Sequence, residues 1–475
     1  MRGIISAAGY VPYRRLSRGA VRELFGAGGG KGTRAVASYD EDTTTMGVEA
    51  ARLALRSVPD ASRPGALWFA TADPAYLEKT NATAIHAALR LDRECPAFDV
   101  GGAVRSGAGA LRTALEHRGP VLVVSSDVRG GLATSADEVG AGDGAAAVLV
   151  GDADDGAVIA EFLGAGSASD EFVDRWRTPG DARTKQWEER FGETRYLPLG
   201  EQAWNLALKA AGLDGPGAID RLVVTGPHAR AVKGLGGRLG VAKEALVDDL
   251  TGTVGQTGTA HPALLLAQAL ETASPGQTIA VVSLADGVDV LVFRATNALA
   301  SWRPTRTVAE QVANGGELAY GKFLSWRGSV EIEPPRRPEP ARPSSSAAAR
   351  SEDWKFAFVG SKDRSTGAIH LPPARISMEG GALDDMEPVP MADVPATIVT
   401  FTIDRLSYSP SPPIVFAVVD FDGGGRFPAE LTDVDADAVA IGDRVEMTFR
   451  KLYTADGIHN YFWKARPLPG IAAGA

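Results

Sequence analysis

Histidine and acidic side chains stand at several points of the chain where a strand pattern ends. His228 follows IDRLVVTGP, while Asp73 and Tyr76 follow ALWFAT. Loops at strand ends carry much of the binding and catalytic chemistry of α/β proteins. An imidazole there can stabilise a developing oxyanion or take a proton, and a carboxyl or phenol group can hold a substrate hydroxyl. The residues therefore predict acid–base chemistry at a loop-built site.

Each of these residues also has a structural interpretation. His228 could cap the helix that begins after VVTGP, and Asp73 could form a turn before Pro74. His261 follows GQTGTA and precedes Pro262, so we expect it at a helix N-terminus, where the dipole keeps the ring neutral and able to act as a base. A packing role at that N-terminus is an equal alternative for His261.

One stretch has the pattern of a nucleophile-bearing turn but lacks the cysteine. Residues 98–111 read FDVGGAVRSGAGAL, in which a strand runs into a glycine-rich helix start. Acyl-transfer enzymes hold a cysteine at such a point because the positive end of the helix stabilises thiolate. The chain's one cysteine, Cys95, precedes Pro96 at the far end of the strand, nine residues and roughly 20 Å from position 104. We therefore expect no acyl-cysteine intermediate.

The elements around these residues follow α/β patterning. From Pro64 to Gly151 short apolar or β-branched runs alternate with helical stretches, and a second series in a similar order ends near Thr296. Two similar halves of about 150 residues predict a duplicated, five-layered α/β domain, divided into residues 1–155 and 156–300.

The chain changes character beyond residue 300. Residues 301–352 contain a helix pattern in LAYGKFLSWRG and then a linker rich in proline, serine and charge. Residues 353–475 contain short strand patterns separated by Gly, Pro and Asp turns. This second pattern predicts a small β-barrel domain.

Composition and charge exclude several classes of protein. With 44% hydrophobic and 23% charged residues, the chain has the composition of a soluble globular protein. Its net charge of −10, without long basic runs, argues against nucleic acid or an anionic membrane as a partner. There is no signal-peptide pattern and no apolar window of membrane-spanning length, so we expect a cytoplasmic protein.

Several sequence words occur in the order typical of one family: EDTTTMGVEAAR, DPAYLEKTNATAIHAAL, AGDGAAAVLVGD, DRWRTPGD, GPHARAVKGL and GQTGTAHPALLLAQALE. The first 300 residues thereby resemble a 3-hydroxy-3-methylglutaryl-CoA (HMG-CoA) synthase-like member of the thiolase superfamily. Through FDGGGRFPAELTDVD, IGDRVEMTFR and NYFWKARP, the C-terminal part resembles the DUF35-type OB-fold protein that accompanies thiolase-like enzymes as a separate subunit. The resemblance implies a duplicated five-layered thiolase fold with a C-terminal OB-fold domain. It also implies a homodimer, or a higher homo-oligomer, paired across strand edges.

The resemblance assigns family site residues to positions of this chain. The family cysteine matches Val104, and the family's general-acid glutamate matches Ala72, beside Asp73. The family histidine matches His228, and the asparagine that helps to hold the thioester oxygen matches Gln256. Of four expected groups, one is kept, one is changed conservatively and two are lost.

Further residues are expected around the same site. Gly287 in LADGVD would permit a close backbone approach near the pocket. Lys233, Arg230 and Arg238 could bind the phosphates of coenzyme A, although charged residues on a helix face are as often merely solvated.

The OB-fold relatives carry a zinc ribbon of four cysteines around a proline pair. This chain keeps the prolines, as Pro372 and Pro373. The ligand positions fall near four residues that cannot form a tetrahedral thiolate site: Asp363, Thr366, Ser377 and Gly380. We therefore expect neither zinc nor another cofactor, with the thioester entering only as substrate.

The surviving groups predict carbon–carbon bond chemistry on a thioester of coenzyme A or a carrier protein. A β-hydroxyacyl thioester can be cleaved by retro-aldol chemistry, and some thiolase-like proteins that work with the OB-fold partner act as aldolases. His228 would serve, with help from Asp73, Tyr76 or His261. Two alternatives remain: a non-covalent acyltransferase of specialised metabolism, and a catalytically silent scaffold that binds acyl-CoA.

Overall fold

The computed structural model describes residues 1–59, 62–181, 183–333 and 336–468, which form two compact units. The first unit comprises Met1–Ala37, Asp42–Thr83 and Asp92–Ser329. The second comprises Ser38–Glu41, Ala84–Leu91 and the chain from Val330 onward. No helix within the described ranges combines the length and apolarity needed to cross a bilayer.

The elements up to residue 152 form the first α/β half. The strands are β1 (Arg2–Tyr10), β2 (Arg14–Ser17), β3 (Thr33–Val36), β4 (Ala66–Thr71), β5 (Ala97–Gly101), β6 (Val121–Asp127) and β7 (Gly144–Asp152). The helices are α1 (Gly19–Phe25), α2 (Thr43–Leu55), α3 (Ala82–Ala88), α4 (Ser106–Glu116) and α5 (Ala136–Gly140).

The following elements, up to residue 326, complete the first unit. The strands are β8 (Ala160–Ala168), β9 (Arg175–Trp176), β10 (Lys185–Gln186), β11 (Arg221–Thr225), β12 (Thr278–Leu284), β13 (Val288–Ala295) and β14 (Gly316–Glu317). The helices are α6 (Glu189–Ala210), α7 (Ala229–Gly236), α8 (His261–Thr272), α9 (Val308–Ala313) and α10 (Tyr320–Trp326).

The two halves meet in one continuous sheet of nine strands, in the order β11-β12-β13-β8-β1-β7-β6-β4-β5. The halves join where β1 pairs with β8, at Gly3 and Ile4. Strands β6, β7, β12 and much of β1 are buried throughout, and they read as continuous apolar or small-residue runs because both of their faces are covered.

Helices cover both faces of each half. On β1, the Ser6 hydroxyl donates to the Ala54 carbonyl of α2, whereas Gly9 faces Leu264 of α8. Helix α8 also packs on β11 and β12 and against α4, while α6 packs on β8 and β13 and against α7. The layers are therefore α2, the first-half strands, α4 with α8, the second-half strands, and α6 with α7. This arrangement confirms the predicted five-layered α/β fold.

Residues 301–329 correct one part of the predicted organisation. They were assigned to the segment between the two domains, but the first unit extends to Ser329. Trp302 and Val308 are buried in the core around α8, and Phe323 of α10 is buried against Leu16 of β2. Removing these side chains from water stabilises the segment against the α/β domain. The helix expected in LAYGKFLSWRG is α10.

The second unit contains a closed five-stranded barrel. Its elements are α11 (Ser345–Arg350), α12 (Glu352–Ala357), β15 (Val359–Asp363), β16 (Ile369–His370), β17 (Met386–Pro390), β18 (Ala396–Asp404), β19 (Ile414–Phe421), β20 (Arg426–Leu431), β21 (Arg444–Ala455) and β22 (Ile458–Pro467). The barrel closes in the order β18-β19-β20-β22-β21. Aromatic rings fill it, with Phe358, Phe449 and Trp463 almost completely buried. The predicted C-terminal β-barrel is confirmed.

Buried charges explain why Ser38–Glu41 belongs to the second unit. Asp40 is fully buried, with its carboxylate 3.0 Å from the Lys464 ammonium and 3.2 Å from the Arg450 guanidinium. Burial opposes ionisation, but Lys464 and Arg450 outweigh it and lower the pKa of Asp40 to about 2. Breaking this pairing would leave an uncompensated buried charge, so the segment is held firmly in the second unit.

The segment expected to be a degenerate zinc ribbon contains β15, β16 and the loops that follow them. One oxygen of Asp363 accepts from the Ser365 hydroxyl and from its main-chain N–H, both at 2.8 Å. The Ser377 hydroxyl donates to the Glu379 carbonyl at 2.7 Å. In the part of the chain that the structure describes, no group of three His, Cys, Asp or Glu side chains could hold a metal ion. Short hydrogen bonds therefore organise this loop, and the zinc content of the protein stays a prediction.

Candidate active site

Two adjoining cavities open in the first unit at the ends of the strands. The first has a volume of about 1100 Å³ and the second about 640 Å³. Four lining residues are common to both: Arg129, Asp174, Arg175 and Pro227. The two cavities therefore share a wall.

His228 lines the first cavity at the start of α7. Its Nδ1 accepts the main-chain N–H of Ala231 at 3.0 Å, which makes it the N-cap of the helix. Its Nε2 lies 2.9 Å from the Glu189 carbonyl, an acceptor, so this nitrogen carries the proton. The structure therefore combines the capping interpretation with a position on the cavity wall. The ring is a neutral donor in this arrangement, with both nitrogens engaged.

Gly192 of α6 lies directly against the His228 ring. A Cβ built at this position would be 2.5 Å from both Nε2 and Cδ2 of the imidazole, which is closer than real carbon contacts allow. The absence of a side chain at position 192 thus fixes how deeply His228 can lie between α6 and α7.

Gln256 and Lys233 also line the first cavity. The Gln256 side-chain oxygen accepts the main-chain N–H of Gly258 at 2.6 Å, which leaves the amide NH₂ as the group available for a ligand oxygen. Lys233 lies one turn into α7 from His228. Four further cations line this cavity and were not singled out from the sequence: Arg18, Arg129, Arg175 and Lys243.

The other two predicted phosphate-binding residues lie outside both cavities. Arg230 pairs with Glu193 at 2.5 Å, and Arg238 pairs with Glu201 at 3.4 Å. Each of these ion pairs is substantially exposed, so it contributes little to stability. Of the three candidates for coenzyme A phosphates, only Lys233 contacts cavity space.

The second cavity brings together Val104, Asp73 and Tyr76. Val104 lies in the turn between β5 and α4, two residues before the helix begins, which is the position expected for a nucleophile. Asp73 pairs with Arg177 at 3.4 Å. Burial raises the pKa of Asp73, and the Arg177 charge opposes that shift. The cavity wall at the helix start is therefore apolar, with one partly shielded carboxyl group nearby.

Asp127, a residue that the sequence did not single out, joins the loops of the site. It is fully buried at the end of β6. One carboxylate oxygen accepts the Thr71 hydroxyl at 3.0 Å and the Ala72 N–H at 2.8 Å, and the other accepts the Thr259 N–H at 2.8 Å. These charge-assisted bonds tie the loop of Asp73 to the loop of Gln256.

His261 and Gly287 lie outside the lining of both cavities. His261 is the first residue of α8 and is fully buried, with Nδ1 3.1 Å from the Thr257 hydroxyl and Nε2 3.0 Å from the Asp249 carbonyl. Burial lowers its pKa to about 4, so the ring is neutral at physiological pH, as expected. Its position supports the packing alternative.

Gly287 lies in the turn between β12 and β13. Its φ is +129°, and a Cβ there would be 2.4 Å from the Arg105 guanidinium and 2.7 Å from the Ala168 carbonyl. Gly287 is therefore approached closely, as predicted, but by Arg105 and Ala168 of the protein itself. It borders neither of the two cavities.

Cys95 is buried just before β5, and it contributes to the lining of neither cavity. Burial raises the pKa of its thiol, the opposite of what a nucleophile needs. The geometry agrees with the expectation that Cys95 cannot replace a cysteine at position 104.

Asp174 of the shared wall was not singled out from the sequence, nor were Tyr196 and Asp286, which line the second cavity beside it. Asp174 is 3% exposed and lines both cavities; the Tyr196 hydroxyl donates to its Oδ1 at 3.3 Å. The Asp286 main-chain N–H in turn donates to that hydroxyl at 3.2 Å. Asp174 lies within the quoted word DRWRTPGD, but a single sequence gives no sign that this acid is buried while its neighbours are not.

The chain is similar to known proteins in both parts. The family described as "ChsH2, C-terminal OB-fold domain" matches residues 388–450. Hydroxymethylglutaryl-CoA synthase of Pyrococcus furiosus is 29% identical over 299 residues, which cover 61% of this chain and 85% of that protein. The corresponding synthase of Aeropyrum pernix is 29% identical over 309 residues, or 63% of this chain and 85% of that protein.

Solved structures share the fold of the first unit. MvaS in complex with 3-hydroxy-3-methylglutaryl coenzyme A aligns with a TM-score of 0.56 at 24% identity, covering 72% of this chain and 94% of that one. The HMG synthase of the curacin biosynthetic pathway, in complex with apo donor-ACP, aligns with a TM-score of 0.59 at 20% identity, covering 69% and 89%. These matches confirm the predicted resemblance to HMG-CoA synthases with a thiolase-type fold and a C-terminal OB-fold.

Proposed function

We propose that this protein is an enzyme that makes or breaks a carbon–carbon bond in an acyl thioester by aldol chemistry, without an acyl-cysteine. One observation carries the proposal: Val104 stands at the helix start where a nucleophile is expected, yet it still lines a cavity of about 640 Å³. The chain lacks the nucleophile that a covalent step needs, but the second cavity still offers space for a substrate.

The similarity to hydroxymethylglutaryl-CoA synthases supports the coarse part of the proposal. Those relatives are named for an enzyme that joins acyl units on coenzyme A, so condensation or cleavage of a thioester is the nearest chemistry. The fold neighbours bind 3-hydroxy-3-methylglutaryl coenzyme A in one case and a donor carrier protein in another. We propose a thioester substrate of one of these two kinds, with Lys233 facing its phosphate.

His228 supplies the electrophilic group of the proposed mechanism. Its Nε2–H, now bonded to the Glu189 carbonyl, would donate to the thioester oxygen as negative charge develops there. The Gln256 amide lies on the same cavity wall and provides a second donor. In the cleavage direction, a base removes the proton of the β-hydroxyl, the C2–C3 bond breaks, and the electrons pass into the stabilised thioester enolate. Protonation of C2 completes the reaction.

A panel of 3-hydroxyacyl-CoA thioesters that includes 3-hydroxy-3-methylglutaryl-CoA tests this function, with the corresponding phosphopantetheinyl carrier thioesters as a second arm. We expect one thioester to yield a shorter thioester and a carbonyl compound, or the reverse reaction to occur. Binding without turnover in both arms would reject the aldolase and favour the silent scaffold.

The scaffold is the second candidate, and one observation favours it. Both ring nitrogens of His228 are bonded to main-chain groups, so the histidine is stable in this arrangement without a substrate. A protein that only binds acyl-CoA needs nothing further from that ring. Turnover, and not binding, therefore separates the two functions.

We further propose that the protein is a homodimer. β5 is the last strand of the nine-stranded sheet, and its Phe98 side chain is 55% exposed. An open edge with an exposed aromatic ring can pair with a second copy and extend the sheet. Light scattering should report a dimer for the wild type and a monomer for Phe98→Lys, whereas a monomeric wild type would contradict the proposal.

A further inference from the structure

We propose that Asp174 is the base that takes the β-hydroxyl proton and later returns it to C2 of the enolate. This inference rests on the proposed aldol function and adds the residue that transfers the proton. The resemblance aligns the family's general-acid glutamate with Ala72, whose side chain cannot transfer a proton, so the resemblance does not identify that residue. It is carried by the position of Asp174 on the wall common to both cavities.

The carboxylate of Asp174 has one oxygen that is held and one that is not. Oδ1 accepts the Tyr196 hydroxyl at 3.3 Å. Oδ2 is buried and has no hydrogen-bond partner among the described residues. The whole residue is 3% exposed, and a buried carboxylate oxygen without a partner is costly, so native structures rarely keep one without a use. Asp174, the residue that carries this oxygen, lines both cavities in which a substrate hydroxyl would lie.

Other candidates for the base are worse placed. The Asp73 carboxylate forms an ion pair with the Arg177 guanidinium. Asp127 is buried too, but both of its oxygens accept main-chain N–H groups. His228 has no free lone pair, because Nδ1 caps α7. Asp174 alone in this comparison combines burial, a cavity wall and an unengaged oxygen.

Tyr196 positions Asp174. Its hydroxyl accepts the Asp286 N–H at 3.2 Å, which leaves its own hydrogen directed at Oδ1 of Asp174. Burial raises the pKa of Tyr196, so the phenol keeps its proton and remains a donor. The ring packs against Phe172 and His228, with centroids 5.1 and 5.8 Å away. The rotamer of the carboxylate is thereby fixed with Oδ2 unengaged.

The proposed step conserves protons and electrons. Oδ2 of Asp174 takes the hydroxyl proton as the C2–C3 bond breaks, and the bond electrons pass to the thioester carbonyl held by His228. The carbonyl product forms, and the neutral Asp174 then donates its proton to C2 as the enolate collapses to the shorter thioester. Asp174 returns to its ionised form, and no oxidant, reductant or metal takes part.

The test compares Asp174→Asn with Asp170→Asn, using the thioester that the wild type cleaves. Asp170 is a matched control, since it is an exposed acid that pairs with Arg195 near the same segment. We expect Asp174→Asn to lower kcat at least ~100-fold, the usual scale of general acid–base catalysis, with KM within about threefold. Asp170→Asn should behave as the wild type.

Chemical rescue separates a base from a packing residue. In Asp174→Ala, added formate should restore part of kcat, and it should do nothing for Asp170→Ala. Lost activity that formate does not restore, or an Asp174→Asn variant within about threefold of wild-type kcat, would overturn the assignment. In either case the wild type still cleaves its substrate, so the proposed function stands. A wild type that cleaves none of the thioesters would reject the function first, and this inference with it.

Discussion

Under the proposed function, the two adjoining cavities hold different parts of a site for a thioester. The first retains the polar groups that bind a carbonyl oxygen, since His228 and Gln256 both line it. The second retains its space but not its reactive groups, because Val104 and Ala72 stand where a cysteine and a glutamate are expected. From this difference we infer that the proposed enzyme keeps substrate binding and oxyanion stabilisation without covalent catalysis.

The largest expected effect comes from restoring the nucleophile. In Val104→Cys the new thiol lies at the N-terminal end of α4, where the helix dipole favours thiolate. With acetyl-CoA, intact-protein mass spectrometry should show one acetyl adduct on this variant and none on the wild type.

The wild type carries its own control in this experiment. Its buried Cys95 should stay unmodified under the same conditions, because burial raises the pKa of that thiol. A Val104→Cys variant that remains unacylated would mean that the second cavity does not receive the thioester carbonyl, and the comparison of the two cavities would fail.

Removing the imidazole of the first cavity should have the next largest effect. We expect His228→Ala to lower kcat by ~100-fold or more through loss of an oxyanion donor, and to reduce stability by about 1 kcal/mol through loss of the N-cap of α7. Steady-state kinetics and denaturant unfolding measure the two effects.

His228→Asn separates capping from chemistry. Asparagine is a good N-cap residue but cannot reach as far as the imidazole Nε2. We expect stability close to the wild type with activity as low as in His228→Ala. If His228→Asn were fully active, the ring would only cap the helix.

A smaller effect is expected from crowding the histidine. Gly192→Ala adds a methyl group where a Cβ would lie 2.5 Å from the His228 ring, so the ring must move. We expect kcat to fall about tenfold, since small displacements of catalytic groups are costly. The matched control is Gly109→Ala in α4, where a Cβ meets nothing within 4 Å and activity should not change. Equal activity in both variants would contradict a precise placement of His228.

The smallest effect at neutral pH concerns His261. Its folded-state pKa is lowered to about 4 from 6.5, so the unfolded chain binds the proton more readily. Stability from the neutral ring is complete above pH 6.5 and is lost as the pH falls towards 4, by up to about 3 kcal/mol. Denaturant unfolding at several pH values should show this slope in the wild type and its absence in His261→Gln. Equal slopes would show that His261 does not govern acid stability.

The sequence predicted the fold far better than the distribution of functional groups. The alternation of strand and helix patterns identified both halves and the barrel, because burial of whole faces leaves a periodic trace. The packing of Trp302 and Val308 leaves no such trace, so the sequence predicts residues 301–352 as a separate helix and linker, whereas the first unit extends to Ser329. Local pattern cannot report contacts between distant segments.

The site shows the same limit more sharply. The sequence offers a helix cap and a site residue as alternatives for His228. In the structure the same ring caps α7 and lines the first cavity. Asp174 was not singled out because its burial involves Tyr196, a residue 22 positions along the chain, and not its sequence neighbours. Arg230 and Arg238 pair with glutamates instead and line neither cavity, whereas Lys233 lines the first.

The most direct test of the central claim follows one reaction by two readouts at once. Wild-type protein is incubated with the 3-hydroxyacyl thioester panel, the small-molecule products are identified, and the intact mass of the protein is recorded during turnover. We predict a carbonyl compound and a shorter thioester, with the protein mass unchanged throughout. An acyl adduct that forms and disappears at the rate of turnover would contradict the account, because it would mean covalent catalysis from a residue other than Val104.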